Sequence, residues 1–278
     1  MTIFRQDFFL EIEKEYSEYD TSKFVVIPCP HEASVSYGGG TKKGPKAIID
    51  AAYYVETFDE ELKKETYQET GIFTTKPVSR KKLGAVVDKT IKDKKVPIIL
   101  GGEHSISPFA VKAAAQHFPK LSVLQFDAHA DLRDEYHGDK NSHACATRRI
   151  LDICPAVQVG IRSLSIEEYQ FAESSDQLKR MHFAASKPSA EKIVSELSEQ
   201  VFITFDVDVF DPSIMPSTGT PEPGGLLWNE VLNILRLVSA KRKVVGADFV
   251  ELAPMKGFPA PDFMVAKLIY RLMGYLSA

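Results

Sequence analysis

Cysteine is scarce: Cys29, Cys145 and Cys154 are the only three in the chain. The number is odd and no pair is spaced C-x-x-C, so neither a disulfide framework nor a thiolate zinc site is suggested. An excess of positive charge is also missing, since 34 Lys+Arg stand against 38 Asp+Glu for a net charge of −4. A protein built around nucleic acid carries a basic face, so that class is excluded as the main function. No apolar run approaches the roughly 18–20 residues that span a bilayer. Met1–Asp20 is glutamate-rich and lacks an uninterrupted apolar core, so it does not read as a secretory signal. Linkers, repeats and low-complexity tracts are absent as well. What remains is a 278-residue chain, 44% hydrophobic and 26% charged. That is ordinary globular composition with enough apolar content for a sizeable core. These features predict a soluble, cytoplasmic protein with a single domain over residues 1–278, free of membrane and nucleic-acid partners.

Short apolar runs alternate with helical patterns. The runs predict strands at Lys23–Pro28, Ile72–Lys76, Val96–Leu100, Leu121–Phe126, Val157–Ile161, Met181–Ala184, Val201–Phe205 and Val244–Val250. Most are apolar on both faces, as in a buried parallel sheet. Stripes with a 3.6-residue period, such as Trp228, Val231, Leu232 and Leu235, mark core-facing helices. The lysine-rich stretch Lys81–Lys95 reads as the solvated face of another helix. The pattern predicts a three-layer α/β/α fold around a parallel sheet of about eight strands. Ligands of such sheets bind where loops leave the carboxyl ends of the strands.

Chemistry-bearing residues collect at those ends. Val96–Leu100 runs into Gly101-Gly102-Glu103-His104-Ser105, where two glycines allow a sharp turn and Ser105 or Ser107 suits a helix cap. Leu121–Phe126 runs into Asp127-Ala128-His129-Ala130-Asp131, whose period of two aims Asp127, His129 and Asp131 one way if the chain stays extended. Val201–Phe205 runs into Asp206-Val207-Asp208 with the same period. Four carboxylates in one cleft repel one another, and two divalent cations would neutralise them. Hard oxygen ligands with some imidazole favour Mn²⁺. An EF-hand is excluded, because the sixth position counted from Asp127 or Asp206 is Leu132 or Asp211, not glycine.

Further candidates surround this set. His143 follows Asp131 closely enough to return to the cleft as a proton shuttle; the alternative is a surface histidine. Cys145 could pair with His143 as a nucleophile, although a dinuclear site already supplies one. Glu251, at the end of Val244–Val250, suits either a planar guanidinium or an ion pair with Arg148, Arg149 or Arg162.

Together the residues resemble the ureohydrolase family of arginases and agmatinases. The matching pieces are Gly101-Gly102-Glu103-His104-Ser105, Asp127-Ala128-His129-Ala130-Asp131, Ser142-His143, the run from Phe205-Asp206-Val207-Asp208 through Asp211-Pro212 and Thr218-Gly219-Thr220-Pro221 to Gly224-Gly225, and Ala247-Asp248-Phe249-Val250-Glu251. Ser36-Tyr37-Gly38 and Gly44-Pro45-Lys46-Ala47-Ile48 match near the N-terminus. The resemblance implies an arginase-like fold, and hydrolysis of a small cationic guanidino substrate to urea and an amine at two Mn²⁺ per subunit. One metal would be held by His104, Asp127, Asp131 and Asp206, the other by Asp127, His129, Asp206 and Asp208, with Asp127 and Asp206 bridging. It implies Glu251 as the guanidinium holder, His143 as the shuttle, Thr220 as a substrate-positioning hydroxyl, and a homo-oligomer, trimeric or hexameric.

Asp131-Leu132-Arg133-Asp134-Glu135-Tyr136 looks more like agmatinases than arginases, and Asp134 or Glu135 would favour a cationic tail such as that of agmatine. Asn141 fits the arginase pattern in part. The expectation is therefore an agmatinase-like enzyme releasing putrescine. The alternatives are an arginase, a guanidino-acid or formimino hydrolase, or a non-catalytic guanidine- or polyamine-binding protein; a one-metal deacetylase is disfavoured by the second ligand set.

Overall fold

The strands lie side by side in one sheet of eight, every pairing parallel. In chain order they are β1 (Phe24–Cys29), β2 (Ile72–Thr74), β3 (Val96–Gly101), β4 (Leu121–Phe126), β5 (Ala156–Ile161), β6 (Met181–Phe183), β7 (Gln200–Asp206) and β8 (Lys243–Val250). Their spatial order is β2-β1-β3-β8-β7-β4-β5-β6. This is a computed structural model, and it describes residues 8–34, 36–187 and 189–277. Of the N-terminal stretch that lacks a signal pattern, residues 1–7 lie outside the described residues. The predicted strands match the observed ones to within a residue or two. A two-stranded ribbon, Phe58–Asp59 against Lys64–Glu65, was not predicted, because segments of two residues carry no periodicity.

β1, β4 and β5 are buried at every position, as strands covered on both faces must be. Alternate side chains feed different layers. Val26, Ile98, Leu124 and Ile203 pack with α1 (Gly44–Ala52), α7 (Ala190–Glu196), α8 (Trp228–Lys241) and α9 (Ala260–Tyr275). Val25, Ile27, Ile99 and Val123 pack with α3 (Arg80–Lys92), α4 (Ser107–Ala115) and α5 (Ala146–Leu151). The short α2 (Thr66–Thr70) contacts α9, and α6 (Ile166–Ser174) closes a small cluster by the β5–β6 edge. Among the described residues no helix is long and apolar enough to cross a membrane.

The register aligns a polar row across otherwise apolar strands. Gln158 of β5 pairs with Gln125 of β4, Gln125 with Thr204 of β7, and Thr204 with Asp248 of β8. All four are fully buried. They point toward the α3–α4–α5 layer, just below the strand ends that carry the predicted ligands.

Candidate metal centre and active site

β3, β8, β7 and β4 are neighbours at the middle of the sheet, so their carboxyl ends open on one place. From β3 the chain turns through Gly102, where a Cβ would lie 2.0 Å from the His31 carbonyl oxygen. Only glycine lets the two backbones approach this closely. The expected serine caps are not used: Ser105 donates to Glu103, and α4 begins at Ser107 without a side-chain cap.

His104 is buried, with Nδ1 3.1 Å from Asp127 Oδ2, 3.1 Å from Asp131 Oδ2 and 3.4 Å from Asp206 Oδ2. His129 Nδ1 lies 2.8 Å from Asp208 Oδ2 and 3.7 Å from Asp127 Oδ1. Two groups with ligand atoms converging on a common point result, His104–Asp127–Asp206 and Asp127–His129–Asp208. Asp127 belongs to both.

The carboxylates reach these positions differently from the extended-chain expectation. Asp131 adopts a left-handed backbone at φ 52°, and Asp206 starts a 3₁₀ turn in which its Oδ1 accepts from the Asp208 amide at 2.9 Å. A left-handed non-glycine residue costs about 1–3 kcal/mol, and such strain collects at functional sites. Glu251 is the same, at φ 64°. Backbone amides orient the other oxygens: His129 donates to Asp127 Oδ1 at 2.6 Å and Ala128 to Asp208 Oδ1 at 2.9 Å.

The donor set fits divalent cations. His104 Nε2 meets Thr204 Oγ1 at 2.9 Å, and Thr204 donates to Asp248 Oδ1 at 2.7 Å. With the Thr204 proton directed at Asp248, the imidazole carries its own proton on Nε2 and presents a lone pair at Nδ1. That nitrogen has no hydrogen-bond partner among the described residues and faces three carboxylates, an arrangement that positive charge between them stabilises. Burial pushes Asp131 up to about 7, with Asp127 adding to the rise. Burial and then Asp208 raise Asp206 well above its ordinary value. For Asp127, burial opposes ionisation, but while His104 and His129 are protonated, with no cation between them, they outweigh it and lower the carboxyl.

A cavity of about 260 Å³ stands over these groups, lined among others by His129, Asp131, Asp206, Asp208, His143, Thr220 and Glu251. Glu251 Oε1 accepts from the His104 amide at 2.6 Å. Burial pushes Glu251 up to about 8, despite that bond. The ion-pair alternative fails: Arg162 donates to the carbonyls of Gly160, Asp208, Val209, Phe210 and Glu222, Arg149 pairs with Asp134 and Asp152, and Arg148 covers the Phe171 ring. His143 is neither a surface residue nor paired with Cys145. It sits between Ser34 Oγ, 3.0 Å from Nδ1, and Ser36 Oγ, 2.9 Å from Nε2. Cys145 is fully buried, meets the Asp139 carbonyl, and is pushed by burial up to about 11. It is no thiolate at neutral pH.

Three expected substrate contacts lie elsewhere. Asp134 is held by Lys140 and Arg149, Glu135 lies outside the cavity lining, and Asn141 takes an Arg80 hydrogen bond on its carbonyl at the surface. The cause is a tight turn closed by paired bonds between Tyr136 and Asp139, which swings this loop outward and leaves Arg133 and Tyr136 on the cavity wall. Reading the strands alone overlooked Ser34, Ser36 and Glu103, which hold His143, and the polar row beneath the cage. The row did leave a trace, a polar residue within each apolar run: Gln125, Gln158, Thr204 and Asp248.

The family model described as "Arginase family" matches residues 22–274. An N(1)-aminopropylagmatine ureohydrolase of Synechocystis is 37% identical, the alignment covering 96% of this chain and 93% of that protein. An agmatinase of Halalkalibacterium halodurans is 34% identical over 86% of each. Among solved structures, an agmatine ureohydrolase of Thermoplasma volcanium superposes with a TM-score of 0.85 at 29% identity, covering 99% of this chain and 95% of that one.

Proposed function

The chain belongs to the arginase family, and from that premise we propose that its cavity hydrolyses a guanidinoalkyl amine, agmatine or its aminopropyl extension, to urea and the corresponding amine. The observation that carries this reading is a cluster of six His and Asp side chains, four of which, His129, Asp131, Asp206 and Asp208, line one cavity with Glu251. His104, Asp127, Asp131 and Asp206 would hold one cation and Asp127, His129, Asp206 and Asp208 the other, with Mn²⁺ suited to this oxygen-rich set. Such a pair supplies a water activated near neutral pH and positive charge opposite the developing anion.

The chain's own groups do the rest. The His104 amide fixes the tilt of the Glu251 carboxylate, whose second oxygen has no hydrogen-bond partner among the described residues and takes a guanidinium N–H. Ser34 donates to Glu103 Oε1 and accepts from His143 Nδ1–H, so the lone pair of His143 is on Nε2, where it accepts from the Ser36 hydroxyl that substrate displaces. Burial lowers its pKa and keeps the ring neutral at pH 7. Nε2 then takes up the proton that the attacking water loses and delivers it to the leaving amine nitrogen. Thr220 borders the same cavity and positions the substrate. The Halalkalibacterium and Synechocystis relatives act on agmatine and on N(1)-aminopropylagmatine, which share a guanidinobutyl end. The reading extends, on family resemblance, to a cytoplasmic trimer or hexamer working in polyamine biosynthesis.

The test is urea release by Mn²⁺-loaded protein from agmatine, N(1)-aminopropylagmatine, arginine and guanidinobutyrate. Urea is expected from the first two, and Asp127→Ala and Asp208→Ala lose both metal and turnover. Urea from arginine alone overturns the amine substrate. No urea from any of them, with metal bound, overturns the hydrolase reading.

A further inference from the structure

Asp127 is the carboxylate common to both ligand groups, and its Oδ2 accepts a hydrogen bond that belongs to neither. The donor is Gln125 Nε2 at 2.7 Å. An ionised carboxylate only accepts, so the amide face of Gln125 must point toward it. Gln125 Oε1 then faces the opposite way, and it accepts from Thr147 Oγ1 of α5 at 2.6 Å and from Gln158 Nε2 of β5 at 2.8 Å. Gln158 Nε2 also donates to the Ala130 carbonyl at 2.8 Å, which ties the same amide to the segment between His129 and Asp131. Gln158 Oε1 in turn accepts from Gln177 Nε2 at 3.1 Å, and Gln177 donates to the Ala156 carbonyl as well. Each amide's direction is therefore dictated by the next. All three glutamines and Thr147 are buried, with exposures between 0% and 5%.

We propose that Gln125 is a positioning residue for Asp127, and that Thr147, Gln158 and Gln177 form a buried amide chain which locks Gln125 with its N–H toward the cage. The chain has a function that packing alone does not require. An apolar residue would fill β4 equally well, whereas three buried amides in succession are costly unless every donor and acceptor is satisfied. Here they converge on one oxygen of the shared ligand. The hydrogen bond would leave that oxygen a further lone pair to offer a cation and resists rotation of the carboxylate, as outer partners of metal ligands do elsewhere, where their loss costs about 10–100-fold in affinity. The inference rests on the cage being a metal centre and is independent of which guanidine is cleaved.

The experiment is Mn²⁺ binding to the full chain, read as metal bound per chain against free Mn²⁺ in a chelator-buffered dialysis, with thermal unfolding of the metal-free protein alongside. Gln125→Met keeps the length and removes the donor. It is expected to weaken Mn²⁺ binding about 10–100-fold while the metal-free protein still unfolds cooperatively. Gln158→Met leaves the Asp127 contact in place and removes one lock on Gln125, and it is expected to weaken binding by a smaller factor. Wild-type Mn²⁺ affinity in folded Gln125→Met overturns the proposal. If Gln125→Met does not fold, Gln158→Met decides: weakened binding supports the amide chain, wild-type affinity overturns it. A wild-type protein that binds Mn²⁺ and releases no urea overturns the proposed hydrolase function while leaving this test intact.

Discussion

At His143 the protein keeps an imidazole neutral by burying it and assigns its tautomer through one serine. If His143 carries the proposed proton transfer, replacing it with Asn removes that step without touching the cage, so His143→Asn is expected to lower kcat by about 10²–10⁴-fold, with metal content per chain unchanged. The pH profile has a sign. Burial lowers this pKa, so the neutral form persists below the ordinary histidine value of about 6.5. The limb in kcat due to His143 therefore falls on the acid side of that value, and a limb centred above it would assign the step to another group. Cys145→Ala, by contrast, is expected to stay within a few-fold of wild-type urea release, because a buried thiol pushed up to about 11 is not the nucleophile. A hundredfold loss with metal retained would revive the cysteine. Residue types at strand ends made the six clustered side chains legible, since a carboxylate or imidazole there has few structural reasons to recur. Asp134 and Glu135 lie outside the cavity lining, a placement the sequence could not give because side-chain type says nothing about which way a loop faces.

Elements are joined by contacts that periodicity does not reveal. Arg271 of α9 is buried against Asp59, Glu60 and Glu61 of the Phe58–Glu65 hairpin, and Arg236 of α8 forks onto Glu61. Removing one side of a buried ion pair typically costs about 3–5 kcal/mol, and Arg271→Met leaves Asp59 uncompensated. The loss is read as a shift of the urea midpoint. Glu61 adds a pH signature. Arg236 first, with help from Tyr275 and Arg271, overcomes burial and holds its carboxyl down to about 2. The folded value lies below the unfolded one, near about 4.3. Its stabilisation is therefore complete above the unfolded value and is lost as pH falls toward about 2. Arg236→Gln is expected to flatten that part of the stability–pH curve, and an unchanged curve would remove Glu61 from the account. None of this could be read along the chain: the hairpin strands are two residues each, and its acids look like an ordinary solvated run.

For the molecule as a whole, the cage couples the central strands to stability. A cation bound to the folded state at about 100 times its Kd adds about 2.7 kcal/mol. For a chain of this size that is a rise in Tm of about 5–10 °C. Stripping the protein with EDTA is expected to lower Tm by that amount, and re-adding Mn²⁺ to restore it; a Tm indifferent to both would show that the cage holds no ion. By itself the sequence determined the layers, the eight strands and which six side chains to look for at the strand ends. Each of these rests on local pattern, the apolar run that buries a strand on both faces and the chemistry of the residues at its carboxyl end. Only the tertiary structure decided which strands stand next to one another. Register set Gln158 beside Gln125, Gln125 beside Thr204 and Thr204 beside Asp248, and so placed a polar floor under the cage. It also decided that Ser34 and Ser36, more than a hundred residues away, hold His143. Contacts between distant segments depend on strand order, and strand order has no signature in any single run of residues.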